Sequence, residues 1–286
     1  ANTIHHSSNS VTQWDDKSGN GNHASASSGE EPSTGTRSIN SLNTLDFDGT
    51  NDALLASNFV LSNTHSIFAV AHSEAANWQR LLTSNTSNYY FFGVGGTGIN
   101  NFATFYGNGS WHDTNTNSPT SSSASTNVLS VLSDGTNATP YYNGTAMSTK
   151  SSNIGNSVSA GLLIGKKSND TQYWDGPVAE IIIFNSTLSN TDRQKIEAYL
   201  AYKWGLTSQL PTGHPGKFSG WSIGKNVSEN NDLSVNIAGI GGSKTATHSA
   251  AFSTDNQWHH IVSTYDGGTR KIYLDGTEVS SASASG

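Results

Sequence analysis

Seven short apolar runs, each bounded by glycine, asparagine, serine or aspartate, set the strongest limit on how this chain can fold. The runs are shorter than ordinary helices and are rich in β-branched and aromatic residues, which is typical of β-strands. Their spacing, with turn residues between them, predicts an all-β protein built as an antiparallel β-sandwich. The runs are Leu54-Leu55, SIFAVAHS (66–73), YYFFGVG (89–95), NFATFYG (101–107), VLSVLSDG (128–135), GLLIGK (161–166) and AEIIIFN (179–185).

The low charge of the chain limits its partners. Only 12% of the 286 residues are charged, and the formal net charge of -7 is spread along the chain without basic clusters. We therefore expect neither nucleic acid nor an anionic membrane surface as partner. No apolar stretch is long enough to cross a bilayer, and the absence of cysteine excludes disulfides and thiolate metal sites. Because the chain starts at Ala1 without a leader, we expect a processed secreted protein or a piece of a longer one.

One segment breaks the β pattern. In LSNTDRQKIEAYLAYKWGL, the residues Ile196, Tyr199, Leu200 and Trp204 recur at helical spacing. Ser189 precedes the segment like a capping box, and Gly205 follows it as a stop signal. The sequence predicts one helix from about 190 to 204, covering an edge of the sandwich.

A linker and a partial repeat divide the chain. LPTGHPGK, residues 210–217, contains two prolines and two glycines and is predicted to be a linker after a first domain, 1–209. Displaced by 132 residues, STYDGGTRKIYLDGTEVS aligns without a gap on VLSDGTNATPYYNGTAMS, and both of its Asx-Gly turns match. Residues 218–286 are therefore interpreted as a partial second copy of residues 86–154 only.

The apolar face of this partial copy must pack against other residues, because a sheet of about four strands is not stable alone in water. Three explanations stay open. The native protein continues past residue 286, the half-copy packs on the first domain, or a neighbouring chain supplies the missing strands.

Several segments together resemble a known family. VTQWDDKSGNGNHA (11–24), LDFDGTND (45–52) and the region from Trp174 to Leu206 resemble the laminin-G-like, concanavalin A-like jelly-roll modules of bacterial surface proteins. QWHHIVSTYDGGTRKIYLDGTEV (257–279) is similar to the central hairpin of the same modules. The first strand usual in such modules is reduced here to ANTIHHSSNS. The resemblance implies a jelly-roll sandwich that serves in adhesion, in carbohydrate recognition or as a spacer.

Oxygen-bearing side chains in two loops and one strand suggest a structural calcium ion. Asp and Asn beside Gly offer the oxygen ligands that Ca²⁺ favours, and modules of the resembled family often carry one such ion. The alternative is that these residues hydrogen-bond to their own turns. The candidate ligands are Asp16, Asn20, Asn22, Asp48, Asp52 and Glu180.

Aromatic residues in adjacent pairs or at strand ends suggest a glycan site, since strand alternation sends one member of each pair outward. The alternative is that they pack against loops or the helix. The candidates are Tyr90, Trp111, Tyr142 and Trp174. Seven N-x-S/T triplets are candidate glycosylation sites: Asn85, Asn108, Asn137, Asn143, Asn169, Asn185 and Asn226.

No catalytic residues are predicted. Sandwich glycosidases need two carboxylates on one strand in a spacing such as Glu-x-Asp-x-x-Glu, and this spacing is absent, as are G-x-S-x-G and a phosphate loop. We expect no metal at His5-His6 or His259-His260, because neighbours on an extended chain point to opposite sides. The sequence predicts a non-catalytic extracellular module for adhesion or carbohydrate recognition, with glycans or surface polymers as partners. The alternative is a subunit of an extracellular fibre, in which copies of the chain complete the second sandwich.

Overall fold

The computed structural model describes the residues of the following ranges: 3–74, 79–85, 90–94, 102–106, 125–151, 161–168, 171–215, 220–226, 232–238, 244–248, 258–266 and 268–283. The chain forms two compact units, Ala1–Gln209 and Leu210–Gly286. None of the helices in these ranges is long and apolar enough to span a bilayer.

In the residues that the structure describes, the first unit contains sixteen strands followed by one helix and a 3₁₀ turn. The strands are β1 (Ile4–Ser7), β2 (Ser10–Trp14), β3 (Ala24–Ser25), β4 (Ser33–Ile39), β5 (Leu42–Asp48), β6 (Leu54–Ala56), β7 (Thr64–Ala71), β8 (Gln79–Ser84), β9 (Tyr90–Val94), β10 (Phe102–Tyr106), β11 (Asn127–Asp134), β12 (Asn137–Tyr142), β13 (Thr145–Ala146), β14 (Lys150–Ser151), β15 (Leu162–Ile164) and β16 (Asp175–Phe184). The helix is α1 (Asn190–Lys203), and the 3₁₀ turn is Thr207–Gln209.

These strands form one antiparallel sheet in the order β10-β9-β8-β15-β6-β3-β2-β4-β5-β16-β7-β11-β12-β13, with β1 added to β2 and β14 to β12. Strands from opposite ends of this order share one hydrophobic core, in which Leu82 and Phe92 join Phe47, Ile67 and Val131. The sheet therefore folds over on itself as a sandwich, which confirms the predicted fold class.

Strand β7 explains the continuous apolar run of residues 66–71. Ile67 and Ala69 point into the core between the two halves of the sheet. Phe68 and Val70 point to the opposite face and are also fully buried. Helix α1 packs on that face, against β7 and β11. The prediction that the helix covers an edge of the sandwich is wrong: β7 and β11 are interior strands, and burying both of their faces requires a cover over the middle of the sheet.

Helix α1 begins and ends where the sequence predicts. The hydroxyl of Ser189 accepts a hydrogen bond from the backbone N–H of Asp192, and Gly205 follows the helix with a φ of +73°. The residues that recur at helical spacing do not all point inward. Arg193, Glu197, Leu200, Ala201 and Trp204 are buried, whereas Tyr199 points outward.

The described part of the second unit contains two three-stranded antiparallel sheets. One sheet consists of β17 (Gly220–Asn226), β18 (Asp232–Ala238) and β19 (Lys244–His248). The other consists of β20 (Ile261–Tyr265), β21 (Thr269–Leu274) and β22 (Thr277–Ser283). Strand β19 packs against β21 and β22.

The hairpins β11–β12 and β20–β21 have the same register. Leu129 pairs with Tyr142, and Ile261 pairs with Leu274, 132 positions further along in both strands. The other pairs of the two hairpins keep the same displacement.

Their Asx side chains make equivalent hydrogen bonds. Oδ1 of Asn143 accepts from the N–H of Val128, as Oδ1 of Asp275 accepts from the N–H of His260 (2.8 Å in both). The two Asx residues have φ values of 47° and 50°, in the left-handed region. His260 is exposed, and Trp258 is fully exposed.

Candidate functional site

A cluster of charged and aromatic side chains lies where the C-terminal end of α1 meets β16. Oε2 of Glu180 accepts hydrogen bonds from Nζ of Lys203 (2.8 Å) and from Nε1 of Trp204 (2.7 Å). The Tyr199 hydroxyl donates to Oε1 of Glu180 at 3.3 Å. Burial alone would lower the pKa of Lys203, but the hydrogen bond to Glu180 raises it above its ordinary value. The helix thus provides the hydrogen bonds that a carboxylate on an apolar strand needs.

Two tyrosines of α1 at this cluster have largely exposed side chains. Tyr199 is 48% exposed and Tyr202 is 70% exposed. At positions i and i+3 of a helix, their side chains are neighbours on one face. Nζ of Lys203 lies 5.6 Å from the centroid of the Tyr199 ring. We name Tyr199, Tyr202, Lys203 and Glu180 together the α1 tyrosine surface.

The C-terminal end of α1 is fixed by a distant hairpin. The turn between β4 and β5 places Asn40 with a φ of 49°, and its Nδ2 donates to the carbonyl oxygen of Lys203 at 2.9 Å. This bond satisfies one of the carbonyls that a helix leaves free at its C-terminal end. The hairpin thus holds the end of the helix that carries the α1 tyrosine surface.

A buried ion pair holds the other end of α1 to the sheet. Nη1 of Arg193 donates to Oε2 of Glu197, and both side chains are almost fully buried. The hydroxyl of Ser130 on β11 donates to Oε1 of Glu197 at 2.6 Å. The Arg193 guanidinium lies 3.8 Å from the centroid of the Tyr141 ring on β12. These contacts fix the position of the helix across β11 and β12.

The predicted calcium ligands lie in three separate places. Asp16 caps its own loop: it accepts from Ser18 N (2.7 Å) and from Asn22 N (3.0 Å), while Asn20 is exposed nearby. Burial opposes the effect, but these hydrogen bonds lower the pKa of Asp16 below its ordinary value. Glu180 is bound by α1.

Asp48 and Asp52 lie within hydrogen-bond distance of each other. Oδ1 of Asp48 accepts from the N–H groups of Thr50 (2.8 Å) and Asn51 (3.1 Å), and Oδ2 of Asp52 accepts from Asp48 N (2.9 Å). Burial, followed by the charge of Asp48, raises the pKa of Asp52 to about 7. Oδ2 of Asp48 and Oδ1 of Asp52 accept no hydrogen bond from the residues that the structure describes. Within those residues, no three His, Asp or Glu side chains are arranged as a metal-binding group.

Two of the four predicted glycan residues, Tyr142 and Trp174, have described side chains, and neither is exposed. The prediction that Trp174 belongs to a glycan site is wrong. Trp174 is fully buried in the core, so its ring cannot stack on a sugar. Tyr142 is half-buried and packs against the same core. The backbone of Tyr90 starts β9, but its side chain and the whole of Trp111 lie outside the described residues.

One of the predicted glycosylation sites is excluded by burial. Asn143 is 9% exposed, and its Nδ2 donates to Oδ1 of Asn127, so this atom cannot carry a glycan in the folded chain. Asn185 is exposed, with its Nδ2 donating to the carbonyl of Val60. Asn85 and Asn137 are half-buried. The side chains of Asn108, Asn169 and Asn226 lie outside the described residues.

The family model described as Laminin_G_3, concanavalin A-like lectin/glucanases superfamily, matches residues 48–192 and 201–286. The chain belongs to this family. No curated protein matches the sequence of this Laminin_G_3 chain.

Two solved structures show the same fold as this Laminin_G_3 chain. The binding domain of Paraclostridial Mosquitocidal Protein 1 is 10% identical, with a TM-score of 0.51 over 95% of this chain and 74% of that one. The sialidase of Trypanosoma rangeli, in complex with sialic acid, is 13% identical, with a TM-score of 0.50 over 70% of this chain. The Laminin_G_3 chain covers only 32% of the sialidase. The fold therefore occurs in a binding domain and in part of a sialidase, and the site itself must decide the function.

The sequence analysis named Tyr199 and Glu180 of the α1 tyrosine surface, but it assigned them other roles. Tyr199 was one of the residues that recur at helical spacing, and Glu180 was a candidate calcium ligand. The adjacency of Tyr199, Tyr202 and Lys203 within one turn of α1 was the signal that could have identified an outward aromatic surface.

Proposed function

We propose that the chain is a non-catalytic carbohydrate-recognition module and that the α1 tyrosine surface is its glycan site. The observation that supports this most is the exposure of Tyr199 and Tyr202 beside the charged pair Glu180–Lys203. Ligand sites typically combine aromatic rings with a few placed polar groups. A sugar ring stacked on a tyrosine face can exchange hydrogen bonds with the carboxylate and the ammonium next to it.

The proposal is tested on a glycan array with the 286-residue chain. We expect binding that is lost in the double variant Tyr199→Ala/Tyr202→Ala. The matched control is Lys195→Ala, on the same helix, where an exposed ammonium pairs only with Asp192. An array silent for the parent chain contradicts the proposal, and binding that survives the double variant places the site elsewhere.

The module acts outside the cell or on its surface, in this proposal, as part of a larger secreted or surface protein. Its partners are glycans or surface polymers, and its function is adhesion. The Glu-x-Asp-x-x-Glu spacing of sandwich glycosidases does not occur in the sequence, which supports a binding role over glycosidase chemistry. A glycan substrate left intact after prolonged incubation, as judged by mass spectrometry, is the expected result.

We further propose that a structural Ca²⁺ ion binds at the pair Asp48–Asp52. The ion would take carboxylate oxygens as ligands and hold the turn between β5 and β6. Because a ligand that binds only the folded chain raises stability, the melting temperature should rise with Ca²⁺ and fall with EDTA. The Asp52→Asn variant should lose this response, and a response that persists in it excludes the pair.

The second candidate is a fibre subunit. The matching register and Asx hydrogen bonds of β11–β12 and β20–β21 support the proposal that residues 218–286 are a partial copy of residues 86–154. A neighbouring chain could then supply the strands that the copy lacks. Negative-stain microscopy at high protein concentration tests this candidate: filaments favour it and uniform small particles contradict it.

A further inference from the structure

The dipeptide Asn-Gly occurs three times in the sequence, and the structure places two of these pairs in opposite surroundings. Asn20–Gly21 lies in the loop between β2 and β3, and both of its residues are exposed. Asn143–Gly144 forms the turn between β12 and β13, where Asn143 is buried. The third pair, Asn108–Gly109, lies outside the described residues. The same dipeptide is therefore in contact with water at one site and enclosed at another.

This difference matters because an asparagine that precedes glycine can react with its own backbone. The glycine nitrogen loses its proton to hydroxide and attacks Cγ of the asparagine. The bond from Cγ to Nδ2 then breaks, ammonia leaves with a proton from water, and a five-membered succinimide ring remains. Water opens the ring at either carbonyl, which yields aspartate or, with the backbone longer by one carbon, isoaspartate. Glycine favours ring closure because no Cβ shields its nitrogen and its backbone is the most adaptable.

Asn20–Gly21 meets the requirements of this ring closure. An exposed side chain changes rotamer rapidly, so the amide of Asn20 can turn toward the next nitrogen. A Cβ built on Gly21 would meet no described atom within 4 Å, so the ring has room to form. Gly21 has a φ of +74°, and a glycine leaves this conformation at little cost.

Asn143 is held at both ends of its side-chain amide. Its Oδ1 accepts from the N–H of Val128 at 2.8 Å, and its Nδ2 donates to Oδ1 of Asn127 at 3.0 Å. Ring closure would break both hydrogen bonds within a buried site, which is costly. The reaction at Asn143 therefore requires local opening of the turn.

We propose that Asn20 is a site of spontaneous deamidation in the folded chain and that the fold protects Asn143 from the same reaction. This inference goes beyond glycan recognition and does not depend on it. It names a covalent modification for which water and hydroxide are the only reactants. The folded chain thus carries one reactive Asn-Gly pair and one protected pair.

The modification should loosen the loop between β2 and β3. In this loop, Oδ2 of Asp16 accepts a hydrogen bond from the N–H of Asn22 at 3.0 Å. Isoaspartate at position 20 lengthens the backbone between these two residues by one carbon. It also adds a carboxylate to a loop that already contains Asp15 and Asp16. Both changes weaken the hydrogen bond that closes the loop.

Tandem mass spectrometry of the full chain, incubated well below its melting temperature, tests the proposal. Deamidation replaces an amide NH₂ by a hydroxyl and adds about 1 Da. Asn20 should gain this mass at least about tenfold faster than Asn143, which reacts only from opened forms. The reaction should be faster at pH 8 than at pH 6, because the attacking nitrogen must lose its proton. The matched control is Asn20→Gln, whose longer side chain closes a less favourable six-membered ring and should gain no mass over the same period.

Incubation in guanidinium chloride separates the fold from the local sequence. In the unfolded chain both pairs are exposed, so Asn20 and Asn143 should react at similar rates. An Asn20 that reacts when unfolded but stays intact in the folded chain overturns the proposal. So does an Asn143 that reacts as fast as Asn20 in the folded chain, or one that stays slow after unfolding.

Hydrogen exchange at Asn22 tests the effect on the loop. In the deamidated chain this exchange should be about twofold to tenfold faster, as expected for the loss of one hydrogen bond. The variant Asn20→Asp adds the same charge but keeps the length of the backbone, so it should exchange more slowly than the deamidated chain. Unchanged exchange after deamidation contradicts the loosened loop, and an equal acceleration in Asn20→Asp contradicts the role of the longer backbone.

Discussion

The Glu180 carboxylate on β16 accepts a 2.7 Å hydrogen bond from the indole N–H of Trp204, the residue that caps the C-terminal end of α1. Trp204 is buried, and Glu180 lies within an otherwise apolar run. Each of the two polar groups would be costly to bury alone, and each is satisfied by the other. The pair therefore anchors the helix to the outer face of the sandwich.

Removing this anchor should destabilise the fold. We expect Glu180→Ala to lower the free energy of unfolding by about 1–3 kcal/mol, because it leaves the buried Nε1 of Trp204 without an acceptor. Trp204→Phe removes the donor and keeps most of the ring. Urea unfolding of both single variants and the double variant measures the coupling. Strictly additive effects would contradict the anchor.

Removing one charge of the buried pair Arg193–Glu197 should destabilise the fold more than removing both charges. Glu197→Leu leaves a buried guanidinium without its partner and should cost about 3–5 kcal/mol of unfolding free energy. The double variant Arg193→Met/Glu197→Leu removes both charges and should be clearly more stable than Glu197→Leu alone. Chemical denaturation provides both values. A double variant less stable than the single one would show that each residue acts independently.

Stability should depend on pH through Asp52. Its pKa in the folded chain is about 7, above the ordinary 3.8, so the folded chain holds a proton that the unfolded chain has released. The free energy of unfolding therefore falls as pH rises from 3.8 toward 7. In the Asp52→Asn variant, the free energy of unfolding should no longer fall over this pH range. At pH 8 in EDTA, it should exceed that of the parent chain by about 2–4 kcal/mol. Denaturation at pH 5 and pH 8 measures the difference, and equal slopes would contradict the raised pKa.

Glycan affinity should depend on the rings of the α1 tyrosine surface and not on fold stability. Because Tyr202 is 70% exposed, Tyr202→Ala should leave the melting temperature within about 2 °C of the parent. Its affinity for a glycan identified on the array should fall about tenfold or more, by calorimetry. Tyr202→Phe keeps the ring and should retain most of the binding. Equal losses in both variants would assign the effect to the hydroxyl.

The sequence by itself determined the local structure. Apolar runs between Asx and Gly turns predicted the strands, and the two caps Ser189 and Gly205 predicted α1, since these signals act over a few residues. It also determined the matching hairpin turns at Asn143 and Asp275, because a left-handed φ restricts the residue type at the position itself.

Only the tertiary structure decided which polar and aromatic residues have partners. Glu180 finds Lys203 and Trp204 more than twenty residues away, and Asn40 caps a helix end 163 residues further on. Trp174 is buried because the strands around it close over it. Tyr199 is exposed because Arg193 and Glu197 orient the helix. Spacing along the chain specifies one face of an element, but the side that becomes buried depends on contacts between residues distant in sequence.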